Sequence, residues 1–387
     1  MDDRSDRRRD GHPAPGSAHP RVQARSIALY LPQFHPVPEN DEWWGPGFTE
    51  WTNVARARPL FPGHYQPRIP GELGFYDLRN PETRQAQADL AAAHGVESFC
   101  YWHYWFGGGR RILDRPFREV LDSGEPDFGF CLGWANESWR GIWGGRNAPN
   151  RLLIEQTYPE GDDAAHFDHV VPAFHDPRYT RVDGRPLFLV YRPGALPSIP
   201  GFVERWQDQA RQGGLPGLYL VGVADGSWEP DGSGFDAIVP WRVLPPFASR
   251  LQADPRARRR PDWLLSAATL KARPAVPAIY AYRHWAPHVP QVAPTRTPSL
   301  PLLLPGWDSS PRYLRSSQVF HRATPDAFGD QVRRAVALVA DRPHEERIVV
   351  IRAWNEWSEG NYLEPDRKFG RGFLEAFRDA IAADRPQ

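Results

Sequence analysis

The feature that most constrains the fold of this 387-residue chain is a set of eight apolar runs separated by segments of helical character. Each run is almost continuously hydrophobic, as in parallel strands that are covered on both faces. The eight predicted strands span residues 26–34, 95–106, 127–136, 186–191, 218–224, 235–241, 300–307 and 348–354. Eight strand–helix repeats predict an α/β fold, a (β/α)8 TIM barrel with long βα loops.

The helix over residues 81–94 has the clearest ends, with Asn80 as N-cap, Pro81 at its first position and Gly95 just beyond it. Other helices are predicted over residues 117–121, 163–175, 202–212, 263–271, 325–340 and 372–383. The alternative is an open doubly wound sheet, in one or two domains. It is disfavoured because no Gly-x-Gly-x-x-Gly turn follows any of the strands.

Composition narrows the class of protein. A hydrophobic share of 41% can form a large core, and zero formal net charge gives no field for nucleic acid or a membrane surface. No stretch of about 18 apolar residues predicts a membrane span. Cys100 and Cys131 lie in apolar runs, which indicates buried free thiols in a reducing compartment, without the spacing of a zinc site. We therefore predict a cytoplasmic protein with no metal, no cofactor and no nucleic-acid partner.

The domain organisation follows from the ends of the chain and from one long segment. Residues 1–25 are charged and rich in Pro, Gly and Ser, without the apolar core of a signal peptide, and they predict a disordered tail. Residues 26–387 predict a single barrel catalytic domain. A Pro- and Arg-rich insertion is expected near residues 244–298.

Aromatic and polar side chains cluster where the predicted strands end, and many of the 16 tryptophans are among them. The active site of a (β/α)8 barrel lies at the C-terminal ends of its strands. Flat apolar walls with a few polar groups suit a sugar ring, which has an apolar face and a hydroxyl edge. The residues predicted to bind substrate are Tyr30, Trp44, Glu50, Trp51, Trp102, His103, Tyr104, Asn136, Glu137, Trp139, Trp307, Asp308, Arg312, Trp354, Asn355 and Trp357.

Several of these residues also have a purely structural interpretation. His103 can be a buried histidine that hydrogen-bonds to backbone, and Glu137 can pair with Arg140 or Arg146. Asp308 can cap the turn that follows it, with Arg312 as its ion-pair partner.

Two glutamates, Glu356 and Glu359, follow the last predicted strand. An ionised glutamate is almost never fully buried without a partner, so both are expected to point into a cleft. Two carboxyl groups with different surroundings can carry out acid/base chemistry on an acetal. The structural alternative is a pair of salt-bridged surface residues.

Six segments carry a family resemblance: FHPVPENDEWWGPGFTEWTNV, YWHYWFGGGRRIL, CLGWANESW, LIEQTY, LLLPGWDSSPR and RAWNEWSEGNYLEPD. They resemble the WbsX group of polysaccharide-biosynthesis proteins, which is related to glycoside hydrolase family 99, the endo-α-mannosidases. The resemblance covers about residues 26 to 366. It implies a (β/α)8 barrel that acts on an α-linked polysaccharide or an O-antigen-type glycan of lipopolysaccharide.

The resemblance also implies roles for the two catalytic glutamates. Family 99 hydrolases have a Glu-Trp-x-Glu pair, which falls on Glu356 and Glu359. Glu356 would deprotonate the sugar 2-hydroxyl, which attacks the anomeric carbon to give a 1,2-anhydro intermediate. Glu359 would protonate the leaving oxygen and later activate water, so configuration is retained. We expect a raised pKa for Glu359 and an ionised Glu356 near neutral pH.

Two motifs depart from the family pattern: Ser358 stands where the hydrolases have His, and Ser309-Ser310 stand where the group has Asn-Thr. The first hypothesis is a retaining glycosidase or transglycosylase with an oligo- or polysaccharide substrate and possible association with polysaccharide-assembly enzymes. The alternatives are a glycosyltransferase of cell-surface polysaccharide biosynthesis and a non-catalytic glycan-binding barrel. A glycosyltransferase with a metal-bound nucleotide lacks support, because the chain has no Asp-x-Asp and no phosphate-binding glycine turn.

Overall fold

The computed structural model describes residues 22–141, 151–241 and 277–382. The helix predicted over 263–271, residues 1–21 of the predicted tail and residues 244–276 of the predicted insertion lie outside these ranges. Residues 22–25 were assigned to the tail, but they are part of the fold. Val22 forms a bridge with Ala382 near the other end of the described chain, and Arg25 begins the first strand.

The strands are β1 (Arg25–Tyr30), β2 (Ser98–His103), β3 (Gly129–Trp134), β4 (Trp139–Arg140), β5 (Leu152–Ile154), β6 (Arg181–Val182), β7 (Arg185–Val190), β8 (Tyr219–Ala224), β9 (Ala237–Pro240), β10 (Ala278–Ala281), β11 (Leu302–Leu303), β12 (Gln318–His321) and β13 (Ile348–Ile351). Eight of them pair in parallel in the order β11-β13-β1-β2-β3-β7-β8-β9. Ile238 of β9 closes the ring: its N–H donates to Pro298, and its carbonyl accepts from Leu300 before β11. The predicted (β/α)8 barrel is therefore confirmed, and the open sheet is excluded.

The helices are α1 (Pro38–Trp44), α2 (Glu50–Arg56), α3 (Pro81–Ala93), α4 (Arg115–Ser123), α5 (Asp162–His175), α6 (Ile199–Gln212), α7 (Tyr282–Trp285), α8 (Ser310–Tyr313), α9 (Pro325–Val339) and α10 (Gly372–Ile381). Side-chain caps fix the start of two long ones. Ser198 accepts a hydrogen bond from Gly201 ahead of α6, and Thr324 accepts one from Ala327 ahead of α9. The long helices pack outside the ring; Trp206 of α6, for example, lies against Phe188 of β7.

Excursions beyond the barrel strands build the walls of the site. After β1 the chain forms α1 and α2, and after β3 it forms the antiparallel pair β4–β5. After β11 it forms α8 and then β12, which pairs in parallel with β10. All of these extra elements, including β10 after β9, follow barrel strands at their C-terminal ends, the end where such barrels hold their active sites.

Candidate active site

A wide cleft opens at the C-terminal ends of the barrel strands. Its floor includes Leu29 near the end of β1, Trp102 of β2 and Ala353 just after β13. The cavity of this cleft is about 490 Å³, within the roughly 300–1,000 Å³ of a typical small-molecule pocket. It is therefore large enough to hold a sugar.

Three carboxyl groups share a single guanidinium in this cleft. Arg312 Nη1 lies 2.8 Å from Glu359 Oε1, and Arg312 Nη2 lies 2.8 Å from both Glu356 Oε1 and Glu50 Oε1. A second guanidinium, on Arg352, lies 3.8 Å from Glu359 Oε2. The Glu-Trp-x-Glu motif thus places both of its carboxyl groups against one arginine.

The surroundings of Glu356 change the pKa of its carboxyl group. Burial raises the pKa of Glu356 to about 8; the positive charge of Arg312 opposes that rise, and the negative charges of Glu359 and Glu50 add to it. The expectation that Glu356 is ionised near neutral pH is therefore wrong. The main physical reason is the burial of its carboxyl group, and the nearby carboxylates of Glu359 and Glu50 add to the rise.

Local hydrogen bonds fix the chain that carries the two glutamates. The Asn355 side chain accepts from the N–H of Leu31 (2.7 Å) and donates to its carbonyl (3.0 Å), which ties the segment after β13 to the end of β1. A single 3₁₀ turn, Trp357–Glu359, follows. The carbonyl of Glu359 accepts a 2.6 Å hydrogen bond from the N–H of Asp308. The backbone at both glutamates is thus held from two neighbouring strands.

Helix α2 and the turn α8 supply the other members of the charge cluster. Thr49 and Thr52 form a capping box at the start of α2, which places Glu50 in its first turn. Ahead of α8, the Asp308 carboxylate accepts from the N–H of Ser310 (3.1 Å), and Arg312 projects from the turn so formed. Glu50 is completely buried, so its charge depends on Arg312.

Aromatic rings form the walls above these charges. Half-buried Trp102 lies edge-on to Tyr191 (5.5 Å between centroids) and to Trp241 (6.5 Å) on one side of the cleft. On the other side Tyr104 contacts Trp139 edge-on at 5.2 Å. Half-exposed indole and phenol faces beside carboxylates match the apolar face and hydroxyl edge of a sugar.

Comparison with known protein families identifies the family of this chain. The family model described as "Glycosyltransferase WbsX" matches residues 26–377. This chain belongs to the WbsX family. The resemblance that the six sequence segments carry is thereby confirmed.

Two relatives of this WbsX-family chain are named "Uncharacterized protein WxcX", from Xanthomonas campestris pv. campestris strains B100 and ATCC 33913. They are 40% identical to it over 370 and 369 residues, respectively, which is 93% of this chain and 50% of each relative. The chain therefore spans about half the length of the curated relatives it matches.

Two solved structures share the fold of the WbsX-family chain. A protein titled "Glycoside hydrolase-like protein" gives a TM-score of 0.57 at 14% identity and covers 96% of this chain and 98% of that one. The GH99 endo-alpha-mannosidase from Bacteroides thetaiotaomicron gives 0.55 at 15% identity and covers 92% and 96%. At these identities the likeness is evidence for the fold alone.

The structure divides the residues predicted for the site into two groups. Those on the cleft wall are Trp44, Trp102, Tyr104, Glu137, Trp139, Arg312, Glu356 and Glu359. Those that lie off the wall are Tyr30, Glu50, Trp51, His103, Asn136, Trp307, Asp308, Trp354, Asn355 and Trp357.

The second group is held by contacts that leave little for a substrate. Tyr30 is buried and donates to Gln87 (2.7 Å). His103 Nε2 lies 2.9 Å from His166 Nε2, and burial lowers the pKa of His103 to about 3, so its imidazole is neutral. Asp308 accepts from Gln66 Nε2 at 2.7 Å as well as capping the α8 turn.

The buried tryptophans and Asn136 have equally structural contacts. Trp354 packs against Phe99, Trp51 donates to the Tyr76 carbonyl, and Trp357 stacks on Tyr362 at 3.6 Å. Trp307 packs against the Arg352 guanidinium, and Asn136 bonds to the backbone of Arg192. These side chains support the site from behind.

Sequence reasoning missed several residues on the cleft wall: Gln33, Arg140, Tyr191, Arg192, Tyr313 and Arg352. Tyr191 and Arg192 directly follow β7, and Arg352 directly follows β13, so the strand-end rule was the available signal. Glu137 pairs with Arg192 (3.0 Å) rather than with Arg140, and the other predicted partner, Arg146, lies outside the described residues.

Proposed function

We propose that this chain is a retaining glycosidase or transglycosylase that acts on an α-linked bacterial glycan, with Glu356 and Glu359 as its catalytic pair. The observation that carries the proposal is the placement of both carboxyl groups on one guanidinium in an aromatic cleft at the C-terminal rim of the barrel. Shared membership of the WbsX family and the fold shared with a GH99 endo-alpha-mannosidase support it.

The reaction requires one proton on the pair. The sugar 2-hydroxyl passes its proton to Glu356 as its oxygen attacks the anomeric carbon, and Glu359 gives a proton to the departing glycosidic oxygen. Water then opens the 1,2-anhydro ring: Glu359 takes the proton of the water, and Glu356 returns its proton to the 2-oxygen. The product keeps its configuration, and both groups end as they began.

Burial keeps a proton on Glu356 until the pH rises to about 8. The reactive form is the tautomer in which the proton has moved to Glu359, and it contains the same number of protons. Arg312 contacts both carboxyl groups and stabilises whichever of them is charged. Turnover is therefore expected to fall as pH rises through about 8, where the pair loses its proton.

Replacing either glutamate with glutamine tests the proposal. We expect Glu356→Gln and Glu359→Gln to lower kcat/KM on unactivated α-linked oligosaccharides by about 10²–10⁴-fold. Reducing-end release measures hydrolysis, and NMR of the first-formed anomer measures retention. The control is Glu204→Gln on the exposed face of α6, with an unchanged rate. A Glu359→Gln variant with full activity on such a glycan would remove the assignment.

A second candidate function is glycosyl transfer from an activated sugar, which the description of the family model favours. A thermal-shift screen with nucleotide sugars separates the two. Stabilisation by a nucleotide sugar, together with no release of reducing ends, would favour transfer. Glycan binding without either reaction would favour a non-catalytic glycan-binding barrel.

A further inference from the structure

The arginines on the cleft wall differ in how well they are paired. Arg192 has carboxylates of Asp225 at 2.7 Å and Glu137 at 3.0 Å. Arg312 has three carboxyl groups at 2.8 Å. Both positive charges are therefore satisfied within the protein.

Arg352 is different. Its only carboxylate within 4 Å in the described ranges is Glu359 at 3.8 Å, and Arg312 already holds that carboxylate at 2.8 Å. Its guanidinium makes no hydrogen bond to any residue in 22–141, 151–241 or 277–382, although only 13% of the side chain is exposed. The five N–H donors of this largely buried guanidinium are therefore left to acceptors that enter the cleft.

Two indole rings hold this guanidinium in place on the cleft wall. Arg352 Cζ lies 4.0 Å from the ring centroid of Trp241 and 4.6 Å from that of Trp307. Contacts with ring faces leave the N–H edge of a guanidinium as its binding surface, and that planar edge matches a carboxylate or a phosphate. The other charged or ionisable groups that act on Arg352 are Glu356, Arg312 and Tyr191.

From these contacts we propose that Arg352 forms a subsite for an anionic group of the substrate, a carboxylate or a phosphate borne by the sugar. The inference rests on the proposed function, because the anionic group is taken to belong to the glycan that Glu356 and Glu359 cleave. Because Glu359 lies 3.8 Å from Arg352, the acidic group sits on or next to the sugar residue at the scissile bond. The substrate class is thus an acidic or phosphorylated glycan.

Binding measurements on the intact protein test the subsite without requiring turnover. Tryptophan fluorescence and calorimetry follow inorganic phosphate, D-galacturonate and the neutral methyl ester of galacturonate with wild type, Arg352→Gln and Arg352→Lys. We expect at least one anion to bind saturably and Arg352→Gln to weaken it at least tenfold. Weak binding of the methyl ester should be equal in all three proteins.

The conservative variant and a remote control complete the design. Arg352→Lys keeps the charge but loses the planar fork, so an intermediate loss is expected and folding is less at risk. Arg371→Gln, which removes an exposed ion pair with Glu72, should leave anion binding unchanged. Stronger binding of phosphate than of galacturonate assigns a phosphorylated sugar, and the reverse assigns a uronic acid.

The inference is overturned if neither anion binds saturably, or if Arg352→Gln binds both anions as tightly as wild type does. Its failure is distinguishable from failure of the proposed function. Anion binding that depends on Arg352, in a protein that cleaves and transfers no glycan, would leave the subsite standing. If the protein turns over neutral glycans in a way that depends on Glu359 but binds no anion, the subsite is ruled out and the proposed function stands.

Discussion

Arg312 contacts both glutamates of the proposed catalytic pair. Its two terminal nitrogens contact Glu50, Glu356 and Glu359, and Glu50 is entirely buried behind the other two. Glu50 is therefore best understood as a positioning residue that acts through Arg312. Its negative charge also raises the pKa of Glu356, because a second carboxylate nearby disfavours ionisation.

Glu50→Gln should shift the protonation of the pair to lower pH. Without the Glu50 charge, Arg312 is shared by two carboxyl groups instead of three, so the pKa of Glu356 falls below about 8. The alkaline decline of kcat/KM moves toward neutral pH by the same amount. NMR of ¹³C-labelled glutamate carboxyls measures the shift independently of activity. An unchanged titration in Glu50→Gln would show that the two charges are not coupled.

Glu364 is a second buried carboxyl group, and it acts on stability. It accepts hydrogen bonds from Gln87 and Trp357 at 2.6 Å and from Tyr76 at 2.9 Å. Burial raises its pKa to about 7, and these hydrogen bonds oppose the rise. Because the folded state then binds more protons than the unfolded chain, this stabilisation is complete below about pH 4.5 and is lost as pH rises through about 7.

Glu364→Gln should therefore flatten the dependence of stability on pH. The glutamine cannot ionise, so the variant lacks a decline in the free energy of unfolding of about 3 kcal/mol between pH 4.5 and 7. Thermal unfolding across that range measures the slope. Glu204→Gln, which changes an exposed carboxylate, should keep the wild-type slope. Equal slopes for wild type and Glu364→Gln would contradict the prediction.

At the scale of elements, the apolar runs predicted all eight barrel strands, with ends that differ by a few residues. Strand β11 is the exception: of the run predicted over 300–307, only Leu302–Leu303 forms a strand, although the Leu300 N–H also bonds to the Ile238 carbonyl. Hydrophobicity located this strand, but the Pro-Gly turn that follows ends its pairing early.

Helix α2 and the charge of Glu356 could not be predicted from the local sequence. The first turn of α2 is fixed by partners far along the chain, since Glu50 pairs with Arg312 and Trp51 bonds to the carbonyl of Tyr76. The pKa of Glu356 likewise depends on Arg312 and Glu50. Such contacts exist only after the barrel has closed.

Gly222 in β8 lies so close to the Trp228 ring that adding a side chain there tests the packing of this strand. A Cβ added at Gly222 would lie 2.5 Å from Cζ2 of Trp228, whose indole is held by a 2.8 Å hydrogen bond to the Val223 carbonyl. Gly222→Ala should therefore cost about 1–3 kcal/mol of the free energy of unfolding, measured in urea.

The matched control for this substitution is Gly329→Ala in the middle of α9. A Cβ there meets its nearest neighbour, the Ala376 carbonyl, at 3.5 Å, which is an ordinary contact. Alanine is favoured over glycine in a helix, so the control should be neutral or gain up to about 1 kcal/mol. A Gly222→Ala protein as stable as wild type would show that the Trp228 ring moves freely.

For the whole molecule, no helix within residues 22–141, 151–241 and 277–382 is long and apolar enough to cross a membrane. The two ends of the barrel strands have different roles, one in the candidate site and one in stability. The cleft and its charges lie at the C-terminal ends. At the N-terminal ends, Arg25 joins the start of β1 to Glu97 ahead of β2, to the Arg181 carbonyl of β6 and to Glu345 ahead of β13.

This separation predicts that stability and activity can be changed independently. Arg25→Met removes hydrogen bonds to two carboxylates and two carbonyls, and it should lower the free energy of unfolding by about 2 kcal/mol. The loss is moderate because Glu97 and Glu345 are partly exposed and regain water.

Below the unfolding temperature, kcat/KM of Arg25→Met should stay within about twofold of wild type, because the Arg312 cluster sits at the opposite end of the strands. Urea unfolding and steady-state rates measure the two quantities on the same protein. Arg211→Met, which removes an exposed pair with Asp208, should change the free energy of unfolding by less than about 0.5 kcal/mol. If Arg25→Met lost turnover while fully folded, the N-terminal end of the barrel would be coupled to the charge cluster, and the division of tasks would be wrong.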